Sequence, residues 1–279
     1  MFILVKGCNG FGNMMSILSF TYYLAKKHNA ILVIDWEHPE WKLGFENYFK
    51  INNITYLPYS EFKILIENNN FPIYPPIFNK NNLCKPLIET IPTIDSANLY
   101  GDIFNPIIKS LNVDIILTPI HSVYVLSYNW LGYEHIKDLW LNLELQPTLK
   151  LEIDKKIKDL GEYNAMHIRH TDNKNSSCSW VTEYIKNNLD KKIYIATDNE
   201  KILVICKSLH PCIKNYTHYY EVGKPLHLQE LTDSDKNKIN VDTITDMYIL
   251  INAKELKITP YKTIPYMTTY SILALSLRI

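Results

Sequence analysis

The chain has 279 residues, 47% of them apolar, enough for one large domain or two medium ones. Its 29 basic and 29 acidic residues cancel at a sequence pI near 7.1, without the basic excess expected of a nucleic-acid or membrane-surface protein. No run of about 18 apolar residues occurs, so no membrane span is expected. Five cysteines (Cys8, Cys84, Cys178, Cys206, Cys212) are scattered and lack a CxxC pair, which favours reduced thiols over a zinc or disulfide framework. No charged leader precedes the apolar stretch Phe2 to Val5, and a glycan on the Asn175 sequon would crowd the polar cluster just before it; cytoplasmic residence is expected.

In chain order, the apolar run Phe2 to Val5 predicts a strand, followed by a glycine turn and a helix from about Asn13 to His28. A second continuous apolar run, Ala30 to Asp35, completes a βαβ unit and implies a parallel sheet. The turn "KGCNGFGNMM" fits neither familiar phosphate loop. Counting from Gly10, the third glycine of GxGxxG is Met15, and Asn13 stands where a Walker loop needs lysine. Gly10, Gly12 and Asn13 therefore serve either a tight turn or a backbone that faces a ligand at a helix N-terminus. Asp35, ending the second strand, stands where a dinucleotide enzyme would hold a ribose. Residues 36 to 110 are aromatic and proline-punctuated and read as loops and short helices; Val113 to Thr118 reads as a further strand.

The pattern changes around "LELQPTLKLE", which sets the expected domains at 1–146 and 147–279. A charged helix runs from Pro147 to about Leu160. Strands are then expected at 163–169, 192–197, 216–222 and 255–259, and helices at 180–189, 199–208, 240–253 and from Thr269. The fold class is α/β, with two doubly wound halves facing a cleft.

Three strand ends carry the chemistry. "NAMHIRHTDN" puts His167 and Arg169 on one strand face at the carboxyl edge, where open α/β sheets bind ligands. Arginine's fork suits a diphosphate, and Asp172, just beyond, can take a proton or orient a hydroxyl; Glu183 stands behind it as a second proton acceptor. "IYIATDNE" ends a second strand in Thr197 and Asp198, which serve either the site or as helix caps. Thr268, Thr269 and Tyr270 precede an apolar helix, where hydroxyls and backbone N–H groups meet a positive helix end. Asp246 sits in the preceding helix, on a solvated face or in the site. The "DSD" at 233 to 235 reads as a solvated loop, and no acid pair is placed as a DxD metal motif.

These stretches resemble the GDP-fucose-dependent fucosyltransferases, and most of all the α1,6 branch with its nodulation and core enzymes. The matches are "GFGNMMSILSFTYYLAKKHNAILVIDW", "HIRHTD", "YIATDN", the surroundings of Asp246, and "TTYSILAL", in family order across nearly the whole chain. The resemblance implies a GT-B fold of two Rossmann-like domains, inversion, no metal or other cofactor, a GDP-fucose donor and a glycan acceptor. Under it Arg169 binds the β-phosphate; His167, Asp246 and the Thr268/Thr269 turn hold the GDP; Asp198 belongs to the second motif. The chain departs from animal members at His170 (arginine there), Asn173 (lysine), Ser177 (glutamate) and Asn199 (often an acid). Two alternatives accompany this reading: another nucleotide sugar on the same scaffold, or a glycan-binding protein whose catalytic residues have decayed.

Overall fold

The computed structural model describes residues 1–6, 10–37, 41–74, 79–84, 115–118, 135–170, 179–220, 231–259 and 269–278. The chain divides into two compact units, Met1–Gln146 and Pro147–Ile279.

The N-terminal unit is built on a five-stranded parallel sheet in the order β4-β2-β1-β6-β5, from β1 (Phe2–Lys6), β2 (Ile31–Asp35), β4 (Tyr56–Leu57), β5 (Ile73–Tyr74) and β6 (Ile115–Thr118). β1 and β2 are almost wholly buried, as the apolar runs of doubly covered parallel strands require. Helix α1 (Phe11–His28) connects them. It closes on Asn29 in the left-handed region (φ 49°), with Lys26, Lys27 and His28 in its last turn complementing the helix dipole.

Residues 41 to 74, expected as loops and short helices, also contribute strands. Besides β4 and β5 they contain a 3-10 turn (Phe45–Asn47), β3 (Phe49–Ile51) and α2 (Tyr59–Asn68). Trp36, Trp41, Phe45 and Phe49 form a cluster with Phe11; the Trp36 and Phe45 rings meet edge to face at 5.1 Å. β3 pairs antiparallel with β7 (Leu143–Leu145), which follows α3 (Ile136–Leu141). Strands of two or three residues are too short to show a periodicity in the sequence.

The C-terminal unit opens with α4 (Pro147–Leu160), which ends on Gly161 at φ +69°. Its parallel sheet has the order β10-β8-β9, from β8 (Asn164–Ile168), β9 (Ile193–Thr197) and β10 (Glu255–Ile258). α5 (Ser179–Lys186) and α6 (Glu200–Leu209) cover one face with a core that includes Met166, Ile168, Val181, Ile185, Ile195 and Leu203. On the other face lies α7 (Asp233–Asn252), whose Ile249 carbonyl accepts the Tyr163 hydroxyl at 2.7 Å. α8 (Thr269–Leu277) follows β10.

Two expectations are corrected here. The segment expected as a strand at 216–222 makes only a single bridge before it, Lys214 to Tyr194, and residues 215–220 are irregular. The helix expected from 240 begins at Asp233, so "DSD" is solvated as expected but forms a first helical turn and not a loop. Thr232 caps it by accepting the Asp235 N–H at 3.2 Å, and the acids of that turn face the positive helix end. Threonine followed three residues later by an acid was the available signal. Among the described residues, no helix is long and apolar enough to cross a membrane, and Cys84, Cys206 and Cys212 form no disulfide.

Candidate active site

The strands of the C-terminal sheet share one carboxyl edge, and the residues at their ends define it. His167, on β8, is 7% exposed. Its Nδ1 lies 2.7 Å from Ser271 Oγ, and its ring packs 4.9 Å from that of Tyr270. Burial, reinforced by the Arg169 charge, pushes the imidazole down to about 3 and keeps it neutral. The Tyr270 hydroxyl donates to the Thr243 carbonyl at 2.7 Å and so ties α8 to α7. Thr259, past the end of β10, donates its N–H to the His167 carbonyl and accepts the Arg169 N–H on Oγ1, both at 3.0 Å.

Arg169 stands just past β8, with its Nε 3.2 Å from Asp198 Oδ2; the two side chains are 20% and 5% exposed. Asp198 Oδ1 also accepts the His170 N–H at 3.0 Å. The bland cap reading of Thr197 and Asp198 fails, because Asn199 caps α6 by accepting the Ile202 N–H at 3.3 Å. Thr197 accepts the Asn199 N–H on its hydroxyl at 3.2 Å, and its carbonyl takes the Tyr219 hydroxyl at 3.0 Å. Asp198 is left to hold the end of β8, including the guanidinium.

Asp246 is not on a solvated face. It is 6% exposed, and its carboxylate accepts the hydroxyls of Tyr194 and, at 2.9 Å, Thr217. Burial raises its carboxyl to about 7 against those two hydroxyls, which favour the anion. The fold therefore prefers Asp246 protonated, and its contribution to stability, full below about pH 4, is lost as pH rises through 7. His167 acts in the opposite sense: its contribution, full above 6.5, is lost as pH falls towards 3. In urea denaturation of the C-terminal unit, Asp246→Asn is expected to flatten the decline between pH 4 and 7, at about 1.4 kcal/mol per pH unit at most. An unchanged slope would show that Asp246 does not carry it.

Of the remaining expected residues, Asp172 and Thr268 lie outside the described residues, and Thr269 opens α8. Glu183 is exposed and lines a recess of about 380 Å³ with Trp180, Tyr184, Glu255 and Lys257. Glu255 and Asn164, which meet there at 3.2 Å, begin β10 and β8, so this recess lies toward the amino end of the sheet, away from Arg169. Gly10, Gly12 and Asn13 belong to the N-terminal unit. Gly10 caps α1 with φ −76°, a conformation open to any residue, so backbone geometry does not require glycine there. Asn13 Oδ1 is buried and finds no hydrogen-bond partner among the described residues. Asp35 is buried against the Lys6 ammonium, which also donates to the Leu83 carbonyl at 2.9 Å.

Sequence reasoning missed one pair altogether. The backbone N–H of His218 and its ring Nδ1 both meet Asp242 Oδ2, each at 2.7 Å. A histidine beyond a strand and an aspartate on a helix 24 residues later carry no joint local signal. Among the described residues, no group of three or more His, Cys, Asp or Glu side chains is placed to hold a metal ion.

No family model matches the chain, and no curated protein matches it in sequence. Solved structures do. A NodZ alpha-1,6-fucosyltransferase soaked with GDP-fucose superposes with a TM-score of 0.70 at 16% identity, covering 99% of this chain and 92% of that one. The fucosyltransferase NodZ from Bradyrhizobium gives 0.70 and 16%, covering 98% and 91%. POFUT1 in complex with GDP gives 0.53 and 14%, covering 99% and 95%. At such identities the likeness is one of architecture: this chain has the α/β GT-B fold of these fucosyltransferases.

Proposed function

We propose that the chain is an inverting, metal-independent glycosyltransferase that moves fucose from GDP-fucose to a glycan hydroxyl. The C-terminal unit holds the donor and the N-terminal unit serves the acceptor. The observation that carries this reading is Arg169, set at the carboxyl edge of the sheet and held by the buried Asp198 carboxylate. Transfer from a nucleotide sugar must stabilise a departing diphosphate. A guanidinium beside a helix N-terminus can do so without a metal ion.

His167, neutral and locked between Ser271 and Tyr270, offers a hydrogen bond rather than a charge to the donor. Thr268, Thr269 and Tyr270, at the N-terminus of α8, and Asp246 complete the proposed donor contacts, with Thr197 and Asp198 positioning Arg169. Gly10, Gly12 and Asn13 stand at the N-terminus of α1 in the other unit, where the Asn13 side-chain oxygen is buried. Support for GDP and fucose comes from the structural neighbours, a NodZ alpha-1,6-fucosyltransferase soaked with GDP-fucose and POFUT1 in complex with GDP.

A thermal-shift panel of GDP, UDP, ADP and their sugars tests this. GDP and GDP-fucose should stabilise selectively, by about 2.7 kcal/mol at a ligand concentration 100-fold above Kd, with or without EDTA. Stabilisation by UDP or ADP instead would change the donor. Loss of transfer on chelation, restored by Mn²⁺ or Mg²⁺, would overturn metal independence.

A further inference from the structure

Residues 214 to 219 run beside β9 toward its carboxyl end. Lys214 bridges Tyr194, the Asn215 side-chain amide donates to the Ile195 carbonyl at 2.8 Å, and the Tyr219 hydroxyl reaches the Thr197 carbonyl at 3.0 Å. His218 therefore sits on the same edge as Arg169 and Asp198, one strand position further along. Its side chain is 61% exposed, while that of Asp242, which holds it, is 4% exposed.

An ionised carboxylate can only accept, so Asp242 places the imidazole proton on Nδ1. Nε2 is then the nitrogen with the lone pair, on the exposed side of the ring. A buried carboxylate that fixes the tautomer and orientation of an accessible imidazole is the arrangement of a general base. The same Asp242 oxygen takes the His218 backbone N–H, so the residue is held through its main chain and through Nδ1. Among the described residues, the charged and titratable groups around the pair are Asp246 on α7, Lys156 on α4, and Tyr220 in the same segment. Burial raises the Asp242 carboxyl, and the two His218 bonds and the Lys156 charge draw it back toward the anion.

We propose that His218, oriented by Asp242, takes the proton of the acceptor hydroxyl during transfer, a role that rests on the glycosyltransferase reading above. The hydroxyl oxygen bonds to the anomeric carbon as the bond from that carbon to the diphosphate oxygen breaks, and the diphosphate leaves with the electron pair. The hydroxyl proton passes to Nε2. Asp242 stabilises the resulting imidazolium, which returns the proton to solvent from its exposed position. His218 is the catalytic residue in this step and Asp242 a positioning residue. The family resemblance leaves the role open, since Ser177 stands where animal members have glutamate.

The test measures transfer from GDP-fucose to a panel of neutral oligosaccharides, alongside the GDP thermal shift, for wild type and for His218→Ala, His218→Gln, Asp242→Asn and Asp172→Asn. The proposal expects His218→Ala and His218→Gln to lower kcat about 100-fold or more while the GDP shift stays intact. Added imidazole should restore part of the His218→Ala rate, which a merely structural residue would not allow. Asp242→Asn should lower kcat about tenfold or more and change its pH profile, with donor KM nearly unchanged. Turnover within about twofold of wild type in both His218 variants overturns the proposal. So does loss of turnover in Asp172→Asn alone, which would name Asp172 as the base. A wild-type protein without a GDP shift or transfer overturns the glycosyltransferase reading, and this role with it.

Discussion

Arg169→Ala is expected to abolish transfer and to remove most of the stabilisation by GDP. The guanidinium is fixed before any ligand arrives, because Asp198 holds its Nε at 3.2 Å and is itself anchored by the His170 N–H. Such preorganisation makes a charge effective against a developing diphosphate anion, since little reorganisation remains at the moment of reaction. Removing a charge-assisted, forked contact from a largely desolvated edge should cost about 3 kcal/mol or more in kcat/KM, a rate loss of two orders of magnitude or beyond. Arg169→Lys should recover the ion pair with Asp198 but little of the activity, because an ammonium is a point charge without the planar fork. Near wild-type turnover and GDP affinity in the alanine variant would remove Arg169 from the mechanism. Denaturation of both variants separates this from unfolding, since the alanine leaves Asp198, 5% exposed, without its cation.

Lys6→Met should destabilise the N-terminal unit by about 3–5 kcal/mol, the usual cost of leaving one member of a buried ion pair uncompensated. Lys6 and Asp35 are register neighbours at the ends of β1 and β2, with side chains 4% and 6% exposed. The ammonium also satisfies the Leu83 carbonyl and lies 5.7 Å from the Tyr59 ring centre, so it ties the sheet edge to α2 and the segment beyond. Asp35 would keep the Glu37 N–H at 3.1 Å but lose its cation partner at 4% exposure. Adding Asp35→Asn removes the stranded charge and can still accept that N–H. The double variant should therefore regain most of the loss in chemical denaturation. A single variant within about 1 kcal/mol of wild type would show that the pair does not hold this edge together.

The sequence by itself determined the elements whose information is local. Phe2–Lys6, Ile31–Asp35 and Ile193–Thr197 are apolar runs closed by a polar residue, Asn164–Ile168 is a shorter apolar stretch around His167, and such runs bounded by turn signals read as buried parallel strands. His167 and Arg169 were legible for the same reason, because two-residue alternation puts both on one face at a strand end. What each polar side chain meets there was decided only by the tertiary structure. Arg169 finds Asp198 because β8 and β9 are neighbours in register, with Ile168 opposite Thr197. Asp246 turned out to be buried because α7 crosses the sheet over Tyr194, 52 residues earlier, and no helical periodicity reveals that contact. His218 and Asp242 likewise came together through the packing of α7 beside the end of β9. Apolar periodicity tells which side of an element is buried. It does not tell which polar groups are buried together, because that depends on strand order and helix placement, and both are set by contacts between distant parts of the chain.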